Sequence, residues 1–108
     1  MTDPTPEQPV DIINLADVDR VIHEPARLII MAYLSMVESA DFLFLMQQTG
    51  LTFGNLSSHM KKLEEAKYIE VHKEFVDRRP HTMLKLTKSG RTAFKEYKKQ
   101  MRHLFEDE

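Results

Sequence analysis

The chain contains no cysteine among its 108 residues. Disulfide bonds, thiolate metal sites and thiol nucleophiles are therefore excluded by composition alone. The sequence also lacks an apolar run of about 20 residues, the length that a membrane-spanning helix needs. Its first eleven residues, MTDPTPEQPVD, carry neither the basic flank nor the apolar stretch of a signal peptide. We therefore expect a cytoplasmic protein with no membrane partner.

The composition and length predict one folded domain. Hydrophobic residues make up 42% of the chain and charged residues 30%, which is ordinary for a globular protein and unlike a disordered one. Three prolines fall within the first nine residues and mark an extended segment. We expect residues 1–11 to form a flexible N-terminal tail and residues 12–106 to form the domain.

The charge is small in total but unevenly distributed. The formal net charge is −2, yet residues 61–102 carry 13 basic side chains against 6 acidic ones, whereas residues 1–60 carry 2 against 8. A basic C-terminal half is typical of a protein with one surface for a polyanion. The alternative is a solvated lysine-rich helix, which explains part of the excess.

Apolar residues at helical spacing predict two helices in the N-terminal half. The first covers 12–22 and presents one apolar face, formed by Ile12, Leu15, Val18 and Ile22. Pro25 suits the first turn of the second helix, because the N–H that proline lacks is not needed there. The apolar residues of this second helix are Leu28, Ile29, Ala32, Tyr33 and Met36.

A pair of short helices with a tight turn between them follows. Ser39 to Asp41 is a polar break, with room for a very short strand, and Asp41 is a candidate N-cap for a helix over 42–49. Gly50 is placed as its C-cap residue, and Thr52 is a candidate cap for a helix that runs to about Lys67. The apolar stripe of this helix is Phe53, Leu56, Met60 and Leu63. This pair predicts a helix-turn-helix.

The C-terminal part of the sequence predicts a β-hairpin and a long closing helix. Alternation from Tyr68 to Val76 is typical of a half-buried strand, residues 77–80 read as a charged turn, and Thr82 to Leu86 as the returning strand. Thr87 caps a last helix that reaches about Leu104. The predicted fold class is mainly α with a small β-hairpin, a winged helix-turn-helix in which the two-stranded hairpin is the wing.

The same region resembles a known family. The stretch LTFGNLSSHMKKLEEAKYIEVHKEFVDRRPHTMLKLTKSGRTAF is similar to winged-helix transcription regulators related to the MarR and ArsR groups, in its recognition helix, its basic wing and the LT-GR start of its last helix. The resemblance covers about residues 18–105 and implies a DNA-binding regulator that is not an enzyme. One departure is Lys67, where the family usually has glycine.

The chemistry of the side chains places the expected DNA contacts on the second helix of the pair and on the wing. Small polar side chains allow close approach to a groove and hydrogen bonds to bases or phosphates, and these are Thr52, Gly54, Asn55, Ser57 and Ser58. Four basic residues suit phosphates or a minor groove, namely Lys61, Lys62, Arg78 and Arg79. Two alternatives remain, a Gly54 that only relaxes the first turn and arginines that are only solvated.

A single domain of this kind covers half of a typical operator, so we expect a homodimer on double-stranded DNA. The predicted interface joins the first and last helices through Ile12, Leu15, Val18, Ile22, Phe94, Tyr97, Met101 and Leu104. The alternative is that these residues close the core of the monomer.

The remaining candidate sites are weak. His59 reads as a packing residue or a phosphate contact. His103 with Glu106 resembles half of the zinc site of some ArsR-type sensors, but Gly90 and Thr92 stand where that resemblance requires the other ligands. No nucleophile and base pair up for catalysis, so we expect no metal, no cofactor and no enzymatic activity. Two other functions stay open: a protein-interaction module of the same fold, and a regulator with a small-molecule effector.

Overall fold

The computed structural model describes residues 14–105. After a 3₁₀ turn at Leu15–Asp17, the elements are, in chain order, α1 (Pro25–Leu34), β1 (Ala40–Asp41), α2 (Phe42–Thr49), α3 (Phe53–Glu65), β2 (Ile69–Val76), β3 (Arg79–Leu86) and α4 (Lys88–Phe105). The predicted fold class, mainly α with a small β-hairpin, is confirmed. The predicted tail and Ile12 lie outside the described residues.

The helix predicted over 12–22 is wrong in the part that the structure describes. Beyond the 3₁₀ turn the chain runs through turns to Pro25. The Asp19 carboxylate accepts hydrogen bonds from the backbone N–H groups of Val21 and Ile22, at 2.9 and 3.2 Å. Aspartate side chains that bond nearby N–H groups in this way offer the backbone an alternative to the helix. The hydroxyl of Tyr68 also donates to Asp19, which fastens this segment to the domain.

Helix α1 begins as predicted but buries a different face. Pro25 occupies its first turn, and the Glu24 side chain caps it by accepting from the Arg27 N–H at 2.8 Å. Its fully buried residues are Ile30, Met31 and Leu34. Ile29 and Met36, which the spacing placed on the apolar face, are exposed. Residues 28–34 are apolar on nearly every side, so the periodicity alone does not select the buried face.

The hairpin is longer and its turn tighter than the sequence predicts. Strands β2 and β3 pair antiparallel from Ile69 opposite Leu86 to Val76 opposite Arg79, leaving a two-residue turn. The short strand at Ala40–Asp41 is confirmed and pairs with β3, so the sheet has three strands in the order β1-β3-β2 rather than two.

One hydrophobic core joins all of these elements. Helix α1 packs against α2, α3, α4 and β3, and α3 packs against β2. The buried apolar residues are Ile22, Ile30, Met31, Leu34, Ala40, Phe42, Leu45, Leu56, Leu63, Ile69, Leu84, Leu86, Phe94 and Tyr97. The core therefore holds α2 and α3 in a fixed relation to the hairpin.

Candidate nucleic-acid interface

Local hydrogen bonds cap the first turn of each helix of the helix-turn-helix, as the sequence predicts. Asp41 accepts from the Phe44 N–H at 3.1 Å and caps α2, and Thr52 accepts from the Asn55 N–H at 3.1 Å and caps α3. Gly50 ends α2 with a left-handed φ of 73°. A residue without a Cβ adopts this conformation at little cost. Gly50 and Thr52 thus fix the turn between α2 and α3.

The polar side of α3 is open to solvent. Leu56 and Leu63 are fully buried, whereas the predicted contact residues Gly54, Asn55, Ser58, Lys61 and Lys62 are all exposed. Ser57 is half-buried at the edge of this side, and Thr52 is exposed while it serves as the N-cap. The structure therefore gathers these residues on a surface that the other residues of the span 14–105 leave uncovered.

The apolar stripe of α3 differs from its prediction at one end. Phe53 is 62% exposed rather than buried. Its ring packs edge-on against Phe42 with 5.0 Å between the ring centroids. The first turn of α3 therefore lies outside the core, and the exposed ring of Phe53 forms an aromatic surface beside the polar side of the helix.

The tip of the hairpin carries the two arginines in an unusual backbone geometry. Asp77 and Arg78 form the turn with φ values of 51° and 67°. Left-handed pairs of this kind match the twist of a two-residue hairpin, but they usually contain glycine or asparagine. Arg78 and Arg79 are both exposed. The turn and the first residue of β3 therefore present two guanidinium groups to solvent at the end of the wing.

Arg79 and Pro80 lie in β3 and not in the turn, so the predicted four-residue turn is wrong. The two positive-φ residues complete the reversal by themselves, and pairing resumes at Arg79. Strand β1 pairs only with Met83 and Leu84, so β3 is an edge strand where Pro80 stands. Proline lacks an N–H to donate and is tolerated at such an edge.

A cleft of about 400 Å³ separates α3 from the hairpin. Ser57 lies on one wall and Arg79 on the other. The remaining lining residues are mostly apolar: Asp41, Phe42, Leu43, Phe53, Met60, Pro80, His81 and Thr82. Helix α3 and the hairpin thus meet around one concave surface, with one predicted contact residue from each.

Sequence reasoning missed a side-chain hydrogen bond that ties the helix-turn-helix to the wing. His81 Nδ1 of β3 lies 2.7 Å from Oδ1 of Asp41, the N-cap of α2. Burial acts to raise the pKa of Asp41, but hydrogen bonds from His81 and from the Phe44 N–H outweigh it, so the pKa lies below the usual value. The cap role of Asp41 was visible in the sequence, whereas its partner is 40 residues away.

His59 is half-buried, and its ring contacts two charged side chains. Its Nδ1 lies 3.2 Å from Nη1 of Arg27 and 3.8 Å from the Glu24 carboxylate. Arg27 also donates through Nε to the Val21 carbonyl at 2.6 Å. These contacts fit the packing alternative for His59 better than a phosphate contact.

The predicted dimer interface needs correction at three positions. Ile22, Phe94 and Tyr97 are at most 5% exposed within a single chain, so they have almost no surface left to give to a partner. They belong to the monomer core, the alternative left open by the sequence. Val18 and Met101 are half-buried against that core, and Leu104 is exposed.

The half metal site cannot be completed from the residues that the structure describes. Glu106 lies outside them, and within 14–105 no three of the residue types His, Cys, Asp and Glu come together as a metal site. Across the same span, no helix is both long enough and apolar enough to cross a membrane.

Comparison with known proteins decides the family. The sequence profile of the winged helix DNA-binding domain matches residues 26–105, which is most of the chain. The chain belongs to the winged helix DNA-binding domain family. This confirms the resemblance found in the recognition helix, the wing and the last helix. The match to a DNA-binding domain also agrees with the expectation of a non-enzymatic protein.

Individual relatives agree with this assignment. An uncharacterized protein of Methanocaldococcus jannaschii is 38% identical over 78 residues, which cover 72% of this chain and 85% of that protein. A transcriptional regulator homologue from Pyrococcus horikoshii OT3 superposes with a TM-score of 0.74 at 30% identity, over 78% of this chain and 83% of the other. An ArsR family transcriptional regulator shares the fold at 20% identity, with a TM-score of 0.57 over 82% and 87% of the two chains.

Proposed function

We propose that this winged-helix protein is a cytoplasmic transcription regulator that binds double-stranded DNA sequence-specifically. In this proposal α3 enters the major groove and the β2–β3 hairpin contacts the flanking backbone or minor groove. The observation that carries the proposal is the exposed side of α3, where small polar residues and two lysines face solvent. Had the protein's own body covered that side, no duplex could reach it.

The division of labour along this surface follows from side-chain chemistry. Asn55 and Ser58 can hydrogen-bond base edges, and Gly54 lets the backbone approach the duplex closely. Lys61 and Lys62 stand further along α3 and suit phosphates, which supply affinity without sequence information. Arg78 and Arg79 would hold the next stretch of backbone from the wing.

We further propose that the protein acts as a homodimer on a pseudo-palindromic promoter site and represses by blocking polymerase. One domain reads only one half-site, and two-fold pairing places two recognition helices about one helical turn apart. Leu104, together with the neighbouring Phe105, supplies exposed apolar surface on α4 for such pairing.

The decisive experiment selects bound sequences from a random DNA pool and then measures affinity for selected and random duplexes at several salt concentrations. We expect a pseudo-palindromic motif, tighter binding to it than to random DNA, and an affinity that falls steeply with salt. A protein-interaction module would give no enriched motif and no salt-dependent binding. Either result is clear without knowledge of the natural operator.

A further inference from the structure

The distal half of the hairpin exposes an aromatic side chain that the fold does not use. Phe75 is 77% exposed. It shares a sheet face with Ile69 and Val71 of the same strand, because side chains alternate along β2. Ile69 is buried and Val71 is half-buried, but Phe75 lies four residues beyond Val71, past the end of the core.

Phe75 differs from two other exposed phenylalanines in how it is packed. Phe44 and Phe53 are also exposed, but each packs on a second aromatic ring. Among residues 14–105 no such ring lies against Phe75. Its direct cross-strand neighbour is Pro80, which is exposed as well. The two side chains form a small apolar pair at the distal end of the sheet, where Pro80 lines the cleft and Phe75 is exposed to solvent.

Three basic residues lie close to this apolar pair along the hairpin, against two acidic ones. Lys73 lies on the same sheet face, Arg78 is the second residue of the turn and Arg79 begins β3, and all three are exposed. Of the two nearby acids, Glu74 lies 3.2 Å from His72, and Asp77 is part of the turn. The positive φ of Arg78 adds a backbone cost that a glycine would avoid. An apolar wedge framed by cations is complementary to a groove of duplex DNA, whose floor is apolar in part and whose rims are phosphates.

We propose that Phe75, backed by Pro80, is a wedge that enters the minor groove and partly unstacks one base step. Phenylalanine and proline are among the side chains that minor-groove proteins insert between bases, and insertion bends the duplex. Pyrimidine–purine steps unstack most easily, so the wedge selects such a step at a fixed distance from the bases read by α3. Arg78 and Arg79 hold the phosphates on either side. This inference rests on the proposed DNA binding and adds a second source of specificity to it.

The test uses the full chain and a duplex selected by it from a random pool. The fluorescent base 2-aminopurine is placed in turn at the steps flanking the motif, because its emission rises when it unstacks. We expect an increase at one pyrimidine–purine step with the parent protein. With Phe75→Ala the increase disappears and affinity falls about tenfold, the size of a lost aromatic contact with a base, while the salt dependence stays unchanged because no charge is lost.

Two further variants separate the wedge from other roles. Phe75→Leu keeps an apolar side chain and should retain most of the affinity and the fluorescence increase. Arg79→Ala should weaken the salt dependence but leave the fluorescence increase in place. Phe75 is exposed, so Phe75→Ala should not lower the midpoint of thermal unfolding.

Three outcomes would overturn the inference. The first is Phe75→Ala binding the selected duplex as the parent does. The second is the absence of any fluorescence increase at every step tested. The third is a Phe75→Ala protein whose light scattering shows a changed oligomeric state, which would make the side chain a protein contact. A parent protein that enriches no DNA sequence would instead refute the proposed function, and the two failures are therefore distinguishable.

Discussion

Gly90 lies directly against the backbone of Tyr68, so closely that a Cβ at this position would overlap the Tyr68 carbonyl oxygen. The contact joins the start of α4 to the corner between α3 and β2. Thr87 completes the junction: its hydroxyl donates to the Lys67 carbonyl at 2.7 Å and accepts from the Gly90 N–H at 2.9 Å. Residues 86–91, LTKSGR, therefore set where α4 meets the corner between α3 and β2.

We expect Gly90→Ala to lower the free energy of unfolding by about 3 kcal/mol, because the added methyl group meets backbone and not a movable side chain. Denaturant titration followed by circular dichroism measures it. Gly54→Ala is the matched control, since a Cβ there meets nothing within 4 Å. It should be neutral or raise stability by up to about 1 kcal/mol through better helix propensity. Equal effects of the two substitutions would contradict the close-contact explanation.

Lys67 occupies the position that glycine usually fills after a helix. Its φ is 67°, its N–H donates to the Glu64 carbonyl at 2.9 Å, and the Tyr68 N–H donates to the Leu63 carbonyl at 3.0 Å. This is the Schellman pattern that ends a helix with a left-handed residue. The lysine that replaces the usual glycine thus keeps the same turn. Its backbone is strained, because Lys67 has a Cβ and adopts a left-handed φ.

We expect Lys67→Gly to raise the free energy of unfolding by about 0.5–1 kcal/mol. Release from the left-handed strain is worth about 1–2 kcal/mol, and the extra freedom of glycine in the unfolded chain takes back about half of that. Lys67→Ala is the control, because it removes the same charge and keeps a Cβ. If the alanine variant gains as much stability as the glycine variant, the charge and not the backbone is responsible.

The parts of the fold that the sequence predicts well depend on local chemistry. Asp41, Thr52 and Thr87 cap helices because one side-chain oxygen reaches an N–H three residues ahead, and Gly50 ends a helix because it lacks a Cβ. Such signals lie within four residues of one another. The surface of α3 follows from the same information, since its polar and apolar residues already separate by helical spacing.

The parts that fail need information from distant residues. The buried face of α1 is chosen by what packs on it, because the helix is apolar nearly all round. The partnership of Asp41 with His81 spans 40 residues and leaves no periodic trace. The predicted interface failed at Phe94 and Tyr97 because an apolar stripe on α4 has the same spacing whether it faces the protein's own core or a second chain.

The Asp41–His81 pair predicts a specific loss of stability in acid. The folded-state pKa of Asp41 is lowered, so its contribution is fully present above the unfolded value near 3.8 and is lost as pH falls from there through the folded value. We expect Asp41→Asn to cost about 1 kcal/mol at neutral pH. The difference in unfolding free energy between parent and variant should shrink as pH falls below 3.8.

A second variant separates the cap from the histidine contact. His81→Gln keeps the Asp41 carboxylate and its bond to the Phe44 N–H but removes the imidazole, so it should lose less stability between neutral pH and pH values below 3.8 than the parent loses. Parallel stability curves for the parent and Asp41→Asn through the acid range would mean that the pair does not hold the pKa of Asp41 down.

The proposed dimer can be tested at Leu104, the interface residue that α4 leaves open. Leu104 is 53% exposed and Ile29 of α1 is 52% exposed, so lysine at either position should be tolerated by the monomer fold. We expect Leu104→Lys to shift the protein toward monomer by at least tenfold in dissociation constant, measured by sedimentation equilibrium. Ile29→Lys is the matched control and should not shift it. A dimer unaffected by Leu104→Lys would move the interface off this end of α4.

The proposed DNA surface makes its sharpest prediction about salt. Lys62 on α3 and Arg79 on the wing would each neutralise one phosphate, so Lys62→Ala and Arg79→Ala should each reduce the slope of log affinity against log salt by about one. Both should weaken selected and random duplexes alike. Lys99→Ala removes the same charge from α4, which packs on α1 and β3 and carries none of the proposed DNA contacts, and should leave the slope unchanged.

Substitutions among the small polar residues should behave in the opposite way. Asn55→Ala and Ser58→Ala remove no charge, so the salt slope should stay constant while the ratio of selected to random affinity falls by about 5- to 100-fold, as for one lost base contact. Fluorescence anisotropy at three salt concentrations gives both quantities for every variant. If Lys99→Ala lowers the slope as much as Lys62→Ala does, the duplex responds only to total charge, and α3 loses its assigned place in the groove.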